Sequence, residues 1–217
     1  ENLPTEPSIV LMKHSSSWET FAQAALLPPQ AWVLKRELTW IPFVGWGIRL
    51  LHAIAIDRGA GGAAVRQMIE QGRERLASGM WIVVFPEGTR MAPGQTRRYG
   101  VGGAAVASET GALVVPVAHN AGYFWPRRGL MKKPGTIRVV IGKPIATKGR
   151  DAREINEEMK LAAAEAITIG RNSTPIFDGQ PLSVTLVRAA GANMPPGREY
   201  VRLIERADRQ GLALVRE

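Results

Sequence analysis

Cysteine does not occur in this chain of 217 residues. Its absence excludes disulfides, thiolate nucleophiles and cysteine-ligated metal sites, and is compatible with a reducing compartment. Histidine is scarce as well: His14, His52 and His119 are too scattered to define a metal site by spacing, and none is expected. A Gly-x-Ser-x-Gly string is missing, which removes the strained turn a serine nucleophile would need. No run of about eighteen uninterrupted apolar residues occurs, so a membrane-spanning helix is not expected within these residues. Acidic residues are the minority, 19 Asp+Glu against 28 Lys+Arg. The net charge of +9 suits an anionic partner such as a bilayer surface, a phosphate-bearing substrate or a nucleic acid. The basic clusters Arg97-Arg98, Arg127-Arg128 and Lys132-Lys133 accompany no known nucleic-acid module, so nucleic acid is not an expected partner.

What is present reads as one α/β domain. Apolar runs bounded by Gly, Pro and charge predict strands near Ser8–Lys13, Ala31–Lys35, Ala53–Ile56, Trp81–Phe85, Leu113–Ala118 and Thr136–Ile141. Helical patterns fall between most of them: Trp18–Leu27 stopped by Pro28-Pro29, an amphipathic Ala60–Ser78, a small-residue segment Gly102–Thr110, and one opened by the capping-box spacing Asp151 to Glu154 and running to about Ile169. Strands alternating with helices predict a mixed, mostly parallel sheet flanked by helices. The Gly100-x-Gly102-x-x-Ala105 string lacks a preceding strand and reads as close helix packing rather than a dinucleotide fingerprint.

Domain organisation follows as residues 1–170 and a C-terminal appendage, 171–217, of unassigned role. In the appendage Leu182–Ala189 reads as a strand and Glu199–Gln210 as a polar helix. The chain starts at Glu1 with a strand pattern from Ser8, which reads as trimming at the N-terminus. Between Leu38 and Ile56, Trp40, Phe43 and Trp46 stand close to Lys35 and Arg36. That mixture fits either a bilayer interface or a buried helical hairpin.

Two strings carry chemistry. His14 and Glu19 lie five positions apart just after Ile9-Val10-Leu11-Met12, where a strand turns into a helix. There a carboxylate can orient an imidazole and stabilise the cation it becomes on taking a proton, which is a general-base dyad. Phe85-Pro86-Glu87-Gly88-Thr89-Arg90 follows Trp81-Ile82-Val83-Val84 and offers a carboxylate, a flexible glycine, a hydroxyl and a guanidinium in four consecutive residues. Such a set can hold a phosphate beside a hydroxyl. An ordinary turn is the plainer reading of the same residues.

The ordered series His14-x4-Glu19, Lys35-Arg36-Glu37-Leu38 with Ile41-Pro42-Phe43, Phe85 to Arg90, and Val115-Pro116-Val117-Ala118-His119-Asn120 resembles the four blocks of the glycerolipid acyltransferases. The likeness runs from about Ser8 to Ile169 and is closest to the bacterial enzymes acting on lysophosphatidate. It implies transfer of a fatty acyl group from acyl-CoA or acyl-carrier protein to the free hydroxyl of lysophosphatidate, without a cofactor. The expected partners are those substrates and a membrane surface, at the cytoplasmic face of the inner membrane. By position, His14 would be the base and Glu19 its charge partner. Glu87 would hold the acceptor's glycerol part, and Arg90, within Gly88-Thr89-Arg90 and helped by Lys35 or Arg36, its phosphate. Pro116, Val117 and Asn120 would shape a pocket, and the Trp-rich stretch would sit at the membrane. Members usually carry hydrophobic N-terminal segments, and their usual acid at the fifth position is Asp, where this chain has Glu19. Another lysolipid acceptor such as a lyso-aminolipid, or lipid binding without turnover, stays open as an alternative.

Overall fold

Four consecutive apolar residues, as in Ile9–Met12 or Trp81–Val84, suit a strand covered on both faces, because alternate side chains point to opposite sides of a sheet. The computed structural model, which describes residues 3–93, 95–128, 131–171 and 183–188, has that arrangement. Strands β1 (Ile9–Met12), β2 (Gln30–Lys35), β3 (Ile54–Ile56), β4 (Trp81–Val84), β5 (Val114–His119), β6 (Thr136–Ile141) and β7 (Ser183–Arg188) form one seven-stranded sheet in the order β3-β2-β4-β1-β5-β6-β7. The first five are parallel, β6 runs antiparallel to β5, and β7 is parallel to β6.

Helices α1 (Trp18–Leu26), α2 (Val44–Leu50), α3 (Gly62–Ala77), α4 (Gly102–Thr110), α5 (Ala121–Phe124) and α6 (Ala152–Arg171) surround the sheet. Pleating divides the core in two. Ile9, Leu11, Ile82 and Val84 face Met68 of α3, Val106 of α4 and Ile155 and Met159 of α6. Val10, Met12, Trp81 and Val83 face Trp18 of α1, Phe124 of α5 and Ile137. Each fully buried aliphatic chain contributes about 1.5–3 kcal/mol of transfer free energy, so the double-sided centre of the sheet is its most stable part.

Local sequence explains the helix limits. Ala64, Met68 and Gly72 put one buried stripe on α3, and a Cβ at Gly72 would meet Val106 Cγ1 of α4 at 2.8 Å. The small-residue segment is thus a close-packed helix, as its composition predicts. At α6, Asp151 Oδ1 accepts from Arg153 N at 2.8 Å, whereas Glu154 pairs with Arg150 rather than closing a capping box. The predicted strand at Leu182–Ala189 is present as β7. The predicted helix at Glu199–Gln210 lies outside the described residues.

The Leu38–Ile56 stretch departs from the buried-hairpin reading. It forms a 3-10 turn, Arg36–Trp40, followed by α2, and Trp40, Phe43, Trp46 and Leu50 are 66%, 77%, 60% and 79% exposed. Phe43 also has a φ of 63°, which bulky L-residues rarely adopt.

Candidate active site

Strands β4, β1 and β5 are neighbours and parallel, so their C-terminal ends open onto the same edge. The chain leaves β1 toward β2 on one side and β4 toward β5 on the other. Because α1 covers one face of the sheet and α4 the other, the two connections part to opposite faces and leave a crevice between them, the usual ligand position in open α/β sheets. Each of the three ends delivers part of the site: His14 after β1, Phe85 to Arg90 after β4, and His119 at the end of β5.

The His14 and Glu19 strings meet as their spacing predicts. Nδ1 of His14 lies 2.9 Å from Glu19 Oε1, and the same oxygen accepts from the backbone N–H groups of Ser15 at 2.9 Å and Ser16 at 2.8 Å. The extra methylene of Glu19 is absorbed by the first turn of α1, where exposed N–H groups favour an anion. Burial would push this carboxyl upward, but the pKa is held below the ordinary carboxylate range, with the hydrogen bonds from His14 and the Ser16 N–H favouring the anion. Glu19 is therefore an anion, and Nδ1 of His14 carries the proton that bonds it. The basic nitrogen is then Nε2. The imidazole is 19% exposed and stacks on Phe85, with ring centroids 4.1 Å apart, which fixes its plane.

Glu87, expected to hold the acceptor's glycerol part, makes its contacts with the protein's own groups. Its side chain is fully buried and ion-paired with Lys13 Nζ; Oε1 also accepts from Thr96 Oγ1 at 3.1 Å, and Oε2 from the His14 backbone N–H at 3.2 Å. Lys13 Nζ further donates to Gln95 O at 2.7 Å, and Met91 N donates to His14 O at 2.7 Å. Glu87 is a strut that ties the loop after β4 to the backbone of the base. Beside it the Tyr99 phenol is pushed up to about 12, by burial first and then by the Glu87 charge, so it stays neutral. Glu87→Ala leaves Lys13 buried and unpaired, and should lower the unfolding free energy in urea by about 3–5 kcal/mol. A loss below about 1 kcal/mol, the range of exposed pairs, would contradict the strut assignment.

Gly88, at a φ of 67°, permits the turn that presents Thr89 and Arg90, both half-buried. Among the described residues the Arg90 guanidinium has one side-chain partner, Ser17 Oγ at 2.6 Å. Its remaining donors can meet a ligand. Arg127 Nη1 donates to Arg90 O at 3.1 Å and holds the loop from outside.

Lys35 and Arg36 lie at the rim of the same sheet edge, paired with Glu37 at 3.3 Å and Asp57 at 2.8 Å. The structure brings Arg58 closer to the loop, its Nη1 donating to Gly88 O. Sequence reading missed Arg58, although its place directly after the β3 run was a signal. Pro116 and Val117 are buried within β5. Asn120 is buried, its Oδ1 accepting from Arg138 N at 2.8 Å and its Nδ2 donating to Thr136 O at 3.5 Å. Lys13 and His119, also missed, sit beside the base, and only the strand register reveals them.

The family model described as Acyltransferase matches residues 1–120. A 1-acyl-sn-glycerol-3-phosphate acyltransferase of Pseudomonas aeruginosa is 46% identical over 164 residues, covering 76% of this chain and 64% of that protein. The alpha enzyme of that name from Mus musculus is 28% identical, covering 67% of this chain and 52% of its own. The chain thus spans between about half and two thirds of the length of these relatives. The crystal structure of PlsC, the 1-acyl-sn-glycerophosphate acyltransferase of Thermotoga maritima, superposes with a TM-score of 0.66 at 24% identity, covering 80% of this chain and 69% of that one. That likeness establishes the shared fold.

Proposed function

The chain belongs to the acyltransferase family, and from that premise we propose that it transfers a fatty acyl group from acyl-CoA or acyl-carrier protein to the free hydroxyl of lysophosphatidate, forming phosphatidate. The observation that carries this reading is the partly exposed His14 paired with the buried Glu19, beside a loop whose Arg90 has donors to spare. Nε2 of His14 takes the hydroxyl proton as the acceptor oxygen bonds to the thioester carbonyl carbon. The carbon–sulfur bond then breaks, and the leaving thiolate recovers the proton from the imidazolium. Glu19 stabilises that cation while it lasts. With no cysteine and no serine elbow, transfer is direct between two bound substrates rather than through an acyl-enzyme.

An amphiphilic acceptor must be met at a bilayer. Trp40, Ile41, Phe43, Trp46 and Leu50 form an exposed apolar surface, with Lys35, Arg36 and Arg49 alongside in the chain. Aromatic and basic residues together suit the headgroup region of an anionic leaflet. No helix among the described residues is long and apolar enough to cross a membrane. Replacing Phe43 and Trp46 by Ser should therefore weaken co-sedimentation with anionic phospholipid vesicles. Unchanged co-sedimentation would move the contact elsewhere.

Arg90 tests the acceptor assignment. A guanidinium grips a phosphate through two parallel hydrogen bonds, a fork that Lys cannot reproduce. Arg90→Lys should raise the apparent KM for lysophosphatidate, Arg90→Ala should raise it further, and the KM for the acyl donor should change little. The defect should be small for any uncharged lysolipid the enzyme accepts. An equal loss for charged and uncharged acceptors, or a loss confined to the donor titration, would detach Arg90 from the acceptor phosphate.

A further inference from the structure

Glu19 has two oxygens in very different circumstances. Oε1 takes three donors, while Oε2 is buried with no hydrogen-bond partner among the described residues. The group nearest to completing it is Nε2 of His119, 3.7 Å away. We propose that His119 is a positioning residue for the reaction, a neutral second imidazole that clamps the peptide preceding His14 and leaves the charge of Glu19 to the base. The proposal rests on reading His14 as that base.

The backbone fixes the His119 tautomer. Ala121 N–H points at Nδ1 from 3.3 Å, so Nδ1 carries no proton. Nε2 therefore does, and donates to Lys13 O at 2.8 Å. The ring is fully buried and meets Trp18 edge-on, with centroids 5.7 Å apart. Three other hydrogen bonds fix the same few backbone atoms just after β1: Lys13 N donates to Val117 O at 2.9 Å, His14 N to Glu87 Oε2 at 3.2 Å, and Met91 N to His14 O at 2.7 Å. The Lys13 carbonyl is the remaining backbone handle next to the base, and His119 holds it.

Neutrality matters as much as the clamp. Three charged or titratable groups face His119: Lys13 and His14 from β1 and its extension, and Glu19 from α1. A cationic ring would turn to Oε2 and share the carboxylate with His14, weakening the pull that stabilises the His14 imidazolium. Burial is the largest influence against that charge, reinforced by Lys13 and His14, and it prevails over Glu19 and the Lys13 carbonyl. These three histidine and glutamate side chains do not make an ion site: no group of three His, Cys, Asp or Glu among the described residues could hold a metal.

The test combines spectroscopy on the unaltered protein with two substitutions. Nitrogen-15 imidazole spectra across neutral pH should show His119 neutral with its proton on Nε2 throughout. His119→Leu removes the donor and should lower kcat roughly ten- to a hundredfold, the scale of a misplaced catalytic group, with both KM values nearly unchanged. His119→Gln, whose amide can reach Lys13 O, should recover most of the rate. Wild-type kcat in His119→Leu would overturn the proposal. So would a Gln variant as slow as the Leu variant, or a His119 that becomes cationic in the wild-type spectra. If the Leu variant does not fold, the spectra and the Gln variant still decide. Failure of the base itself would show separately, as activity surviving in His14→Ala.

Discussion

Purified His14→Ala should transfer acyl groups about a hundred- to ten-thousand-fold more slowly than the unaltered protein, the usual contribution of a general base. The loss should fall on kcat. What disappears is a proton acceptor needed only as the carbon–oxygen bond forms, whereas Arg90 and the apolar surface around α2 remain for substrate binding. The side chain is partly exposed and its backbone is held independently by Glu87 and Met91, so the fold should survive. Circular dichroism and acceptor binding should match wild type. Retention of more than roughly a tenth of the wild-type turnover, against that expected loss, would show that His14 is not the base.

Glu19→Gln should have the second largest effect. The amide keeps an acceptor oxygen for the Ser15 and Ser16 N–H groups but loses the charge that stabilises the His14 imidazolium. In a Ser-His-Asp triad the corresponding amide substitution lowers kcat by about 10⁴, so a loss of at least a hundredfold is expected here. Glu19→Asp restores the charge one methylene shorter and should regain much of the rate. Equal rates in the two variants would remove Glu19 from the mechanism. The Gln variant should also be less stable, since a group held below its ordinary pKa in the folded state contributes stability above the unfolded value, which is lost as pH falls.

Both chemical strings were legible because each follows an apolar run, and a short polar string after a buried strand can only emerge at the sheet edge. The two strings meet because β1 and β4 are adjacent, which strand alternation alone does not dictate. His119 was quoted in the fourth block without a role, because its contact with Lys13 spans 106 positions in sequence and depends on the β1–β5 register. The pairing of Glu87 was hidden for a related reason: a Glu in a Pro-Gly turn reads as solvated or ligand-binding, and its buried partner Lys13 lies 74 positions away in sequence. The Trp-rich stretch was open between burial and exposure because α2 is too short for its periodicity to discriminate. The helix α5 has four residues and left no pattern at all.

The most direct measurement supplies the protein, in phospholipid vesicles, with lysophosphatidate and a panel of other lysolipids together with a labelled acyl thioester, and identifies the products by mass. The expected product is phosphatidate, formed fastest from lysophosphatidate and lost in His14→Ala. Acylation of another lysolipid with lysophosphatidate left untouched, or phosphatidate formed at the same rate by His14→Ala, would contradict the account.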